Sequence, residues 1–129
     1  MDAYTTHGAF SWSELMTNDP KAATEFYGTL FGWKIEPMQM PGATYNVIKV
    51  GDTSVGGIMG MPPGSAAMPS MWGCYVTVAD VDATARRCTE LGGKVAHGPE
   101  DIPGVGRFAV ILDKQGAALN VITYAPQPG

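Results

Sequence analysis

The chain has 129 residues, 45% hydrophobic and 16% charged, with a formal net charge of −4 and a pI near 4.9. That length and balance describe one folded domain with a real core and exclude a disordered chain. The acidic balance argues against nucleic acid, which needs a cationic face, and no apolar run is long enough to cross a bilayer, so no membrane partner is expected.

The first residues, "MDAYTTHGAFSW", lack a basic start and an apolar stretch, so no signal peptide is expected. A strand-like run follows, "FSWSELMT" from Phe10 to Thr17. "NDPKAATEFYGTLFGWKI" then spells a helix, with Asp19 as the cap, Pro20 at the first helical position, and Leu30 and Gly32 at the stop. Ala23, Phe26, Tyr27 and Leu30 have the spacing of one buried face. A middle strand, Lys34–Met38, leads to a Pro-Gly turn and the run "MPGATYNVIKV" from Met40 to Val50. Asp52 opens a last strand segment, "DTSVGGIMGM". "PPGSAAMPS" from Pro62 to Ser70 is a linker with no helix or strand pattern.

The same order of signals then returns. Laying Asp19 on Asp80 gives an offset of 61 (80 − 19), at which Ala22 meets Ala83, Leu30 meets Leu91 and Gly32 meets Gly93. "WGCYVTV" from Trp72 to Val78 is the repeated first strand. The repeated helix shows Val81, Ala85, Cys88 and Leu91 on one face. Lys94–Ala96 onward repeats the middle strand, and "IPGVGRFAVIL" from Ile102 to Leu112 repeats the Pro-Gly strand at an offset of 62 (103 − 41). "DKQGAALNVI" from Asp113 closes the second half, back at 61 (113 − 52). Each half reads as strand–helix–strand–strand–strand, so the fold class is α+β: a module at about residues 8–62, a linker at about 62–70 and a module at about 71–125. Cys74 and Cys88 make no disulfide framework and are expected to be reduced and buried in a cytoplasmic protein.

Two βαβββ modules, with "FYGTLFGWKI" closing the first helix and "DKQGAALNV" opening the last strand, resemble the vicinal oxygen chelate superfamily. That superfamily includes glyoxalase I, extradiol dioxygenases, fosfomycin resistance enzymes and bleomycin resistance proteins. The resemblance covers about Phe10 to Tyr124 and implies a single domain whose two curved sheets form a cup. It also implies a homodimer. Strand alternation assigns the faces independently. Ser13, Leu15, Cys74, Val76, Val78, Leu119 and Val121 go under the helices. Trp12, Glu14, Met16, Gly57, Met59, Met61, Gly73, Tyr75, Thr77, Ala118, Asn120 and Ile122 go to the cup.

In the superfamily's metal enzymes, His and Glu from the first and last strands of both modules hold one divalent ion. Placed by motif, those positions here are Trp12, Met59, Gly73 and Asn120. None is a histidine or carboxylate, so no metal and no other cofactor is expected. His7, before the first strand in a stretch expected to be mobile, and His97, in a turn-rich loop, share no ligand spacing.

The polar candidates in the cup are Glu14 and Tyr75, equivalent at the 61 offset, with Asn120 nearby. Desolvation would suit Glu14 to general-base work, or Glu14 simply satisfies a neighbouring donor. Arg107 either clamps an anionic ligand or pairs with a surface carboxylate. Trp12, Met16, Met59 and Met61 would make an adaptable apolar floor. Three readings follow: a metal-free binder of a small hydrophobic or aromatic molecule, a glyoxalase- or dioxygenase-type enzyme with Glu14 as base, and a silent subunit.

Overall fold

The computed structural model describes residues 1–40, 42–61 and 68–126; Pro41 of the first Pro-Gly turn and residues 62–67 of the expected linker lie outside the described residues. The elements follow the expected order twice. They are β1 (Phe10–Thr17), α1 (Pro20–Phe31), β2 (Lys34–Met40), β3 (Ala43–Val50) and β4 (Thr53–Gly60), then β5 (Met71–Thr77), α2 (Val81–Glu90), β6 (Lys94–Ile102), β7 (Gly106–Leu112) and β8 (Ala118–Tyr124). The fold class is α+β. The chain divides into Trp12–Gly73 and a unit made of Met1–Ser11 with the chain from Cys74 onward.

Both helices start on their aspartates. Asp19 accepts from the Ala22 N–H at 3.0 Å and Asp80 from the Ala83 N–H at 3.1 Å, each satisfying an amide with no helical partner. Gly32 ends α1 with φ of 72°, a left-handed turn that glycine makes without a Cβ clash, and its N–H bonds the Gly28 carbonyl.

In the first unit β2 pairs β3 and β3 pairs β4 antiparallel, while β4 runs parallel to β1, the strand that α1 follows. Leu15, Ile48 and Ile58 form the core, with Ala23 and Tyr27 of α1 and with Trp33 and Ile35 packed against them. Each such side chain contributes about 1.5–3 kcal/mol when fully buried. Phe26 and Leu30, expected in this face, are instead 61% and 58% exposed. They fall on one flank of the Ala23–Tyr27 stripe, and the sheet reaches only the stripe itself.

In the second unit β5 runs parallel to β8, and β8, β7 and β6 pair antiparallel. Val78, Val81, Ala109 and Val121 form its core, with Val76 and Ile111 against them. Cys74 is exposed, which corrects the expectation that it lies under α2. Ser13, its equivalent in the first module, is exposed as well. In both strands the core begins two residues later, at Leu15 and Val76, so the early part of the strand has no helix above it. Leu91 is also exposed, because α2 ends before it.

The segment before β1 is held in place, contrary to the expected mobility. Gly8 N–H donates to the Thr77 carbonyl at 2.7 Å and Thr77 N–H to the Ala9 carbonyl at 2.8 Å. The Thr77 hydroxyl donates to the Ala3 carbonyl at 2.6 Å, and His7 Nδ1 accepts from the Ala79 N–H at 2.9 Å. His97 lies within β6 rather than in a loop, with its ring 5.6 Å from that of Phe108 and Nε2 on the Glu100 carboxylate.

Register refines the repeat. Glu14 faces Gly57 across β1 and β4, and Tyr75 faces Asn120 across β5 and β8. With Glu14 equivalent to Tyr75, the last strands are therefore offset by 63 (120 − 57) rather than 61. The third strands already stand at 63, since Val47 faces Gly57 and Val110 faces Asn120, and the two register shifts within β6, absent from β2, supply the two extra residues. Because 61 and 63 are both odd, every side chain keeps its expected face.

Candidate functional site

On β1 the alternation puts Leu15 into the core under α1 and sends Trp12, Glu14 and Met16 to the other face. On that face the side chains form a directed chain of hydrogen bonds. Trp12 Nε1–H donates to the Tyr45 hydroxyl at 2.8 Å, and that hydroxyl donates to Glu14 Oε1 at 2.7 Å. An indole nitrogen can only donate, so the direction is fixed from Trp12 through Tyr45 to Glu14. Glu14 is 8% exposed, a buried carboxylate held as an acceptor.

Tyr45 was missed in the sequence. The usable signal was parity alone: Ile48 is core, so Tyr45 and Val47 must face the other way on β3. Gly57, opposite Glu14, makes room for it. A Cβ built on Gly57 would lie 2.0 Å from the Tyr45 hydroxyl oxygen, inside its van der Waals surface. Met16 pairs Met59 in register beside this group, and Met61 follows just beyond β4, all three half-buried. Toward the β2 edge of the same face, Lys49 binds Glu36 at 3.0 Å with Lys34 at 3.8 Å. The hydrogen bond from Lys49, then its charge, holds Glu36 below the usual carboxylate range.

In the second module Tyr75 is 6% exposed and lies in register with Asn120, whose Nδ2–H donates to the Cys74 carbonyl at 3.2 Å. Val110 stands opposite Asn120, and Phe108 opposite Ile122. Arg107 alternates with Phe108 and so points to the other side, toward α2. Its Nε and Nη2 form a fork on Asp82 at 2.8 and 3.0 Å, and Nη1 reaches Asp101 at 3.1 Å. The guanidinium thus takes the carboxylate-pairing role and stands apart from Tyr75 and Asn120. It borders an open cleft of about 530 Å³ with Asp82, Asp101, Ile102 and Tyr124.

The four positions where metal-binding relatives would carry ligands do not fit a cation. Trp12 has its one polar hydrogen on Tyr45, Asn120 could offer a single neutral carbonyl oxygen, and Met59 and Gly73 offer neither oxygen nor imidazole side chains. Moving the last-strand positions by the observed register substitutes Gly57 or Ile122, which donate nothing either. Among the described residues no group of three or more His, Cys, Asp or Glu side chains is placed to hold a metal ion. No described helix is long and apolar enough to cross a membrane.

A family model described as Glyoxalase/Bleomycin resistance protein/Dioxygenase superfamily matches residues 9–121. The "Putative glyoxylase CFP32" of Mycobacterium tuberculosis (strain CDC 1551 / Oshkosh) is 44% identical over 122 residues, covering 93% of this chain and 46% of the relative. "Anthracycline biosynthesis protein DnrV" of Streptomyces peucetius is 38% identical over 115 residues, covering 89% of this chain and 41% of the relative. The chain thus spans about half the length of the curated relatives it matches. Among solved structures, methylmalonyl-CoA epimerase from Mycobacterium tuberculosis superposes with a TM-score of 0.69 at 16% identity, covering 95% of this chain and 92% of that one. At that identity the likeness is one of fold. Matched over nearly its whole length, the chain belongs to the glyoxalase/bleomycin resistance protein/dioxygenase superfamily.

Proposed function

We propose that this protein binds a small aromatic or hydrophobic molecule without a metal, on the face of the first module that carries Trp12, Glu14 and Tyr45. The observation behind this reading is the fixed donor chain ending on a buried carboxylate, flanked by Met16 and Met59. Thioethers and an indole give an adaptable apolar floor, beside a carboxylate that the relay holds in one orientation. The second module carries a candidate polar pair of its own, Tyr75 and Asn120. The relative named for anthracycline biosynthesis suggests the probe, a planar hydroxyanthraquinone. Chelator-treated protein is heated with and without it. Stabilisation that Trp12→Ala weakens about tenfold or more supports the reading, since a ligand of the folded state raises the melting point. No stabilisation, or stabilisation that Trp12→Ala leaves unchanged, contradicts it.

A second reading rests on the burial of Glu14, which suits a general base. Glu14→Gln then abolishes turnover of a glyoxalase-type α-oxoaldehyde adduct while leaving affinity nearly intact. For a binder the same change shifts affinity and its pH dependence and nothing more.

A further inference from the structure

Lys34, the first residue of β2, stands directly opposite Lys49 of β3, and like charges set face to face across an antiparallel pair destabilise it. The second module has no such conflict: Leu112 stands opposite Lys94, the first residue of β6. A single carboxylate answers the two ammonium groups. Glu36 lies 3.0 Å from Lys49 Nζ and 3.8 Å from Lys34 Nζ, and among the described residues no other carboxylate is within ion-pair distance of either. Two cations on one anion leave a surplus of +1 (2 − 1), in a chain that carries −4 overall. Register puts this surplus on the face that carries the Trp12–Tyr45–Glu14 relay. Ile35 and Ile48, the next pair along, both pack into the core, so Lys34 and Lys49 point the other way, as Glu36 and Val47 do. Val47 is opposite Gly57 and Gly57 is opposite Glu14, so one row of residues runs across the sheet from Glu36 to Glu14. The Lys49 side chain is only 26% exposed, which lays its aliphatic stem along the sheet.

We propose, on the reading that this face binds a small molecule, that its ligand is an acid. The apolar body lies over Met16, Tyr45 and Met59, and a carboxylate or similar oxyanion reaches Lys34 and Lys49. Each ammonium carries three donors, more than one carboxylate takes up, so donors remain for a second anion. That anion also relieves the repulsion between the paired lysines, which Glu36 offsets only in part. Charge fixes the orientation of the ligand. Glu14 repels an anion at one end of the face and the lysines attract it at the other. Lys49 is two strands and two residues from Glu14, roughly 12 Å by strand spacing and rise, which is room for a fused-ring body. A cationic group at the lysine end would meet the same surplus and be turned away.

Titration of the full chain with a hydroxyanthraquinone carboxylic acid and with its carboxamide, alike in shape but uncharged, tests this. The expected result at low salt is an acid bound about fivefold or more tighter than the amide, as a charge-assisted hydrogen bond at a partly exposed site supplies. Lys34→Gln and Lys49→Gln each reduce that preference, and the double variant abolishes it. Lys21→Gln, the same charge change on α1, keeps it. High salt collapses it in the parent, because the lysine end is open to counterions. An acid bound no tighter than the amide, or a preference that survives in the double variant, overturns the proposal while the binding reading stands. Failure of the parent to bind either probe overturns both. If the lysine variants do not fold, the parent decides alone: a preference that high salt leaves unchanged overturns the proposal.

Discussion

Gly57 and Tyr45 depend on each other, and neither belongs to a motif. A methyl group on residue 57 would occupy the place of the Tyr45 hydroxyl. Gly57→Ala therefore displaces the ring, and with it the donor to Glu14 and the acceptor for Trp12. The expected cost is about 1–3 kcal/mol in denaturant unfolding, as for other overpacked sites. Tyr45→Phe keeps the ring and removes the hydroxyl, leaving a buried carboxylate and an indole N–H without that partner, for a similar loss of about 1–3 kcal/mol. If either variant is as stable as the parent, the relay contributes nothing. Glu14 and Trp12 were readable from strand parity, whereas Tyr45 was not singled out, because a tyrosine in a β-strand carries no signal until its neighbour across the sheet is known. Arg107 gives a pH test at the same scale. Its hydrogen bonds, then its charge, hold Asp82 below the usual carboxylate range, against partial desolvation. A depressed carboxylate contributes stability above its unfolded value, about 3.9, and loses it as pH falls through the folded value. Arg107→Gln should thus lower stability at neutral pH and converge on the parent as pH falls below about 4, which flattens the acid limb. A limb of unchanged steepness would show that the ion pair contributes nothing.

Caps and pins decide where the elements begin. Asp19→Ala and Asp80→Ala should each cost about 1 kcal/mol, read as a shift of the urea midpoint at constant slope. Both starts were legible, because an aspartate before a helix and a proline at its first position act locally. The outer limits of the helix faces were not. The spacing of Phe26, Leu30 and Leu91 fits a buried stripe, yet burial depends on how far the sheet extends beneath, which no local pattern encodes. The strand after Pro103 shows the same limit. Pro103 has no amide hydrogen and Gly104 has φ of 76°, so the turn closes by Val105 N–H to the Ile102 carbonyl at 3.0 Å and β7 starts only at Gly106. The N-terminal segment pairs with β5 through backbone groups of Gly8 and Ala9, contacts invisible to side-chain patterning. Deleting the first nine residues exposes the Thr77 amide and carbonyl, and should speed amide exchange across β5 before α2. Unchanged exchange in β5 would show that the segment holds nothing.

For the whole molecule, duplication was the legible feature and its chemistry the illegible one. Helix caps, stops and turns recur at nearly constant spacing, and that order led to the two-module fold and to the family. Two irregularities in β6 that β2 lacks moved the last-strand equivalence by two positions, from 61 to 63, without moving any last-strand side chain to the other face. The four family ligand positions hold no histidine or carboxylate under either alignment, and what the first module carries beside them is Trp12, Tyr45 and Glu14. We propose that this group recognises a small molecule with no metal present. Calorimetric titration of chelator-treated protein with a hydroxyanthraquinone, repeated on Gly57→Ala, tests it most directly. The expected result is saturable binding by the parent without added metal, weakened about fivefold or more when the relay is displaced, as for a lost hydrogen bond of about 1 kcal/mol. Binding that appears only after a divalent cation is restored, or that Gly57→Ala leaves intact, would contradict it.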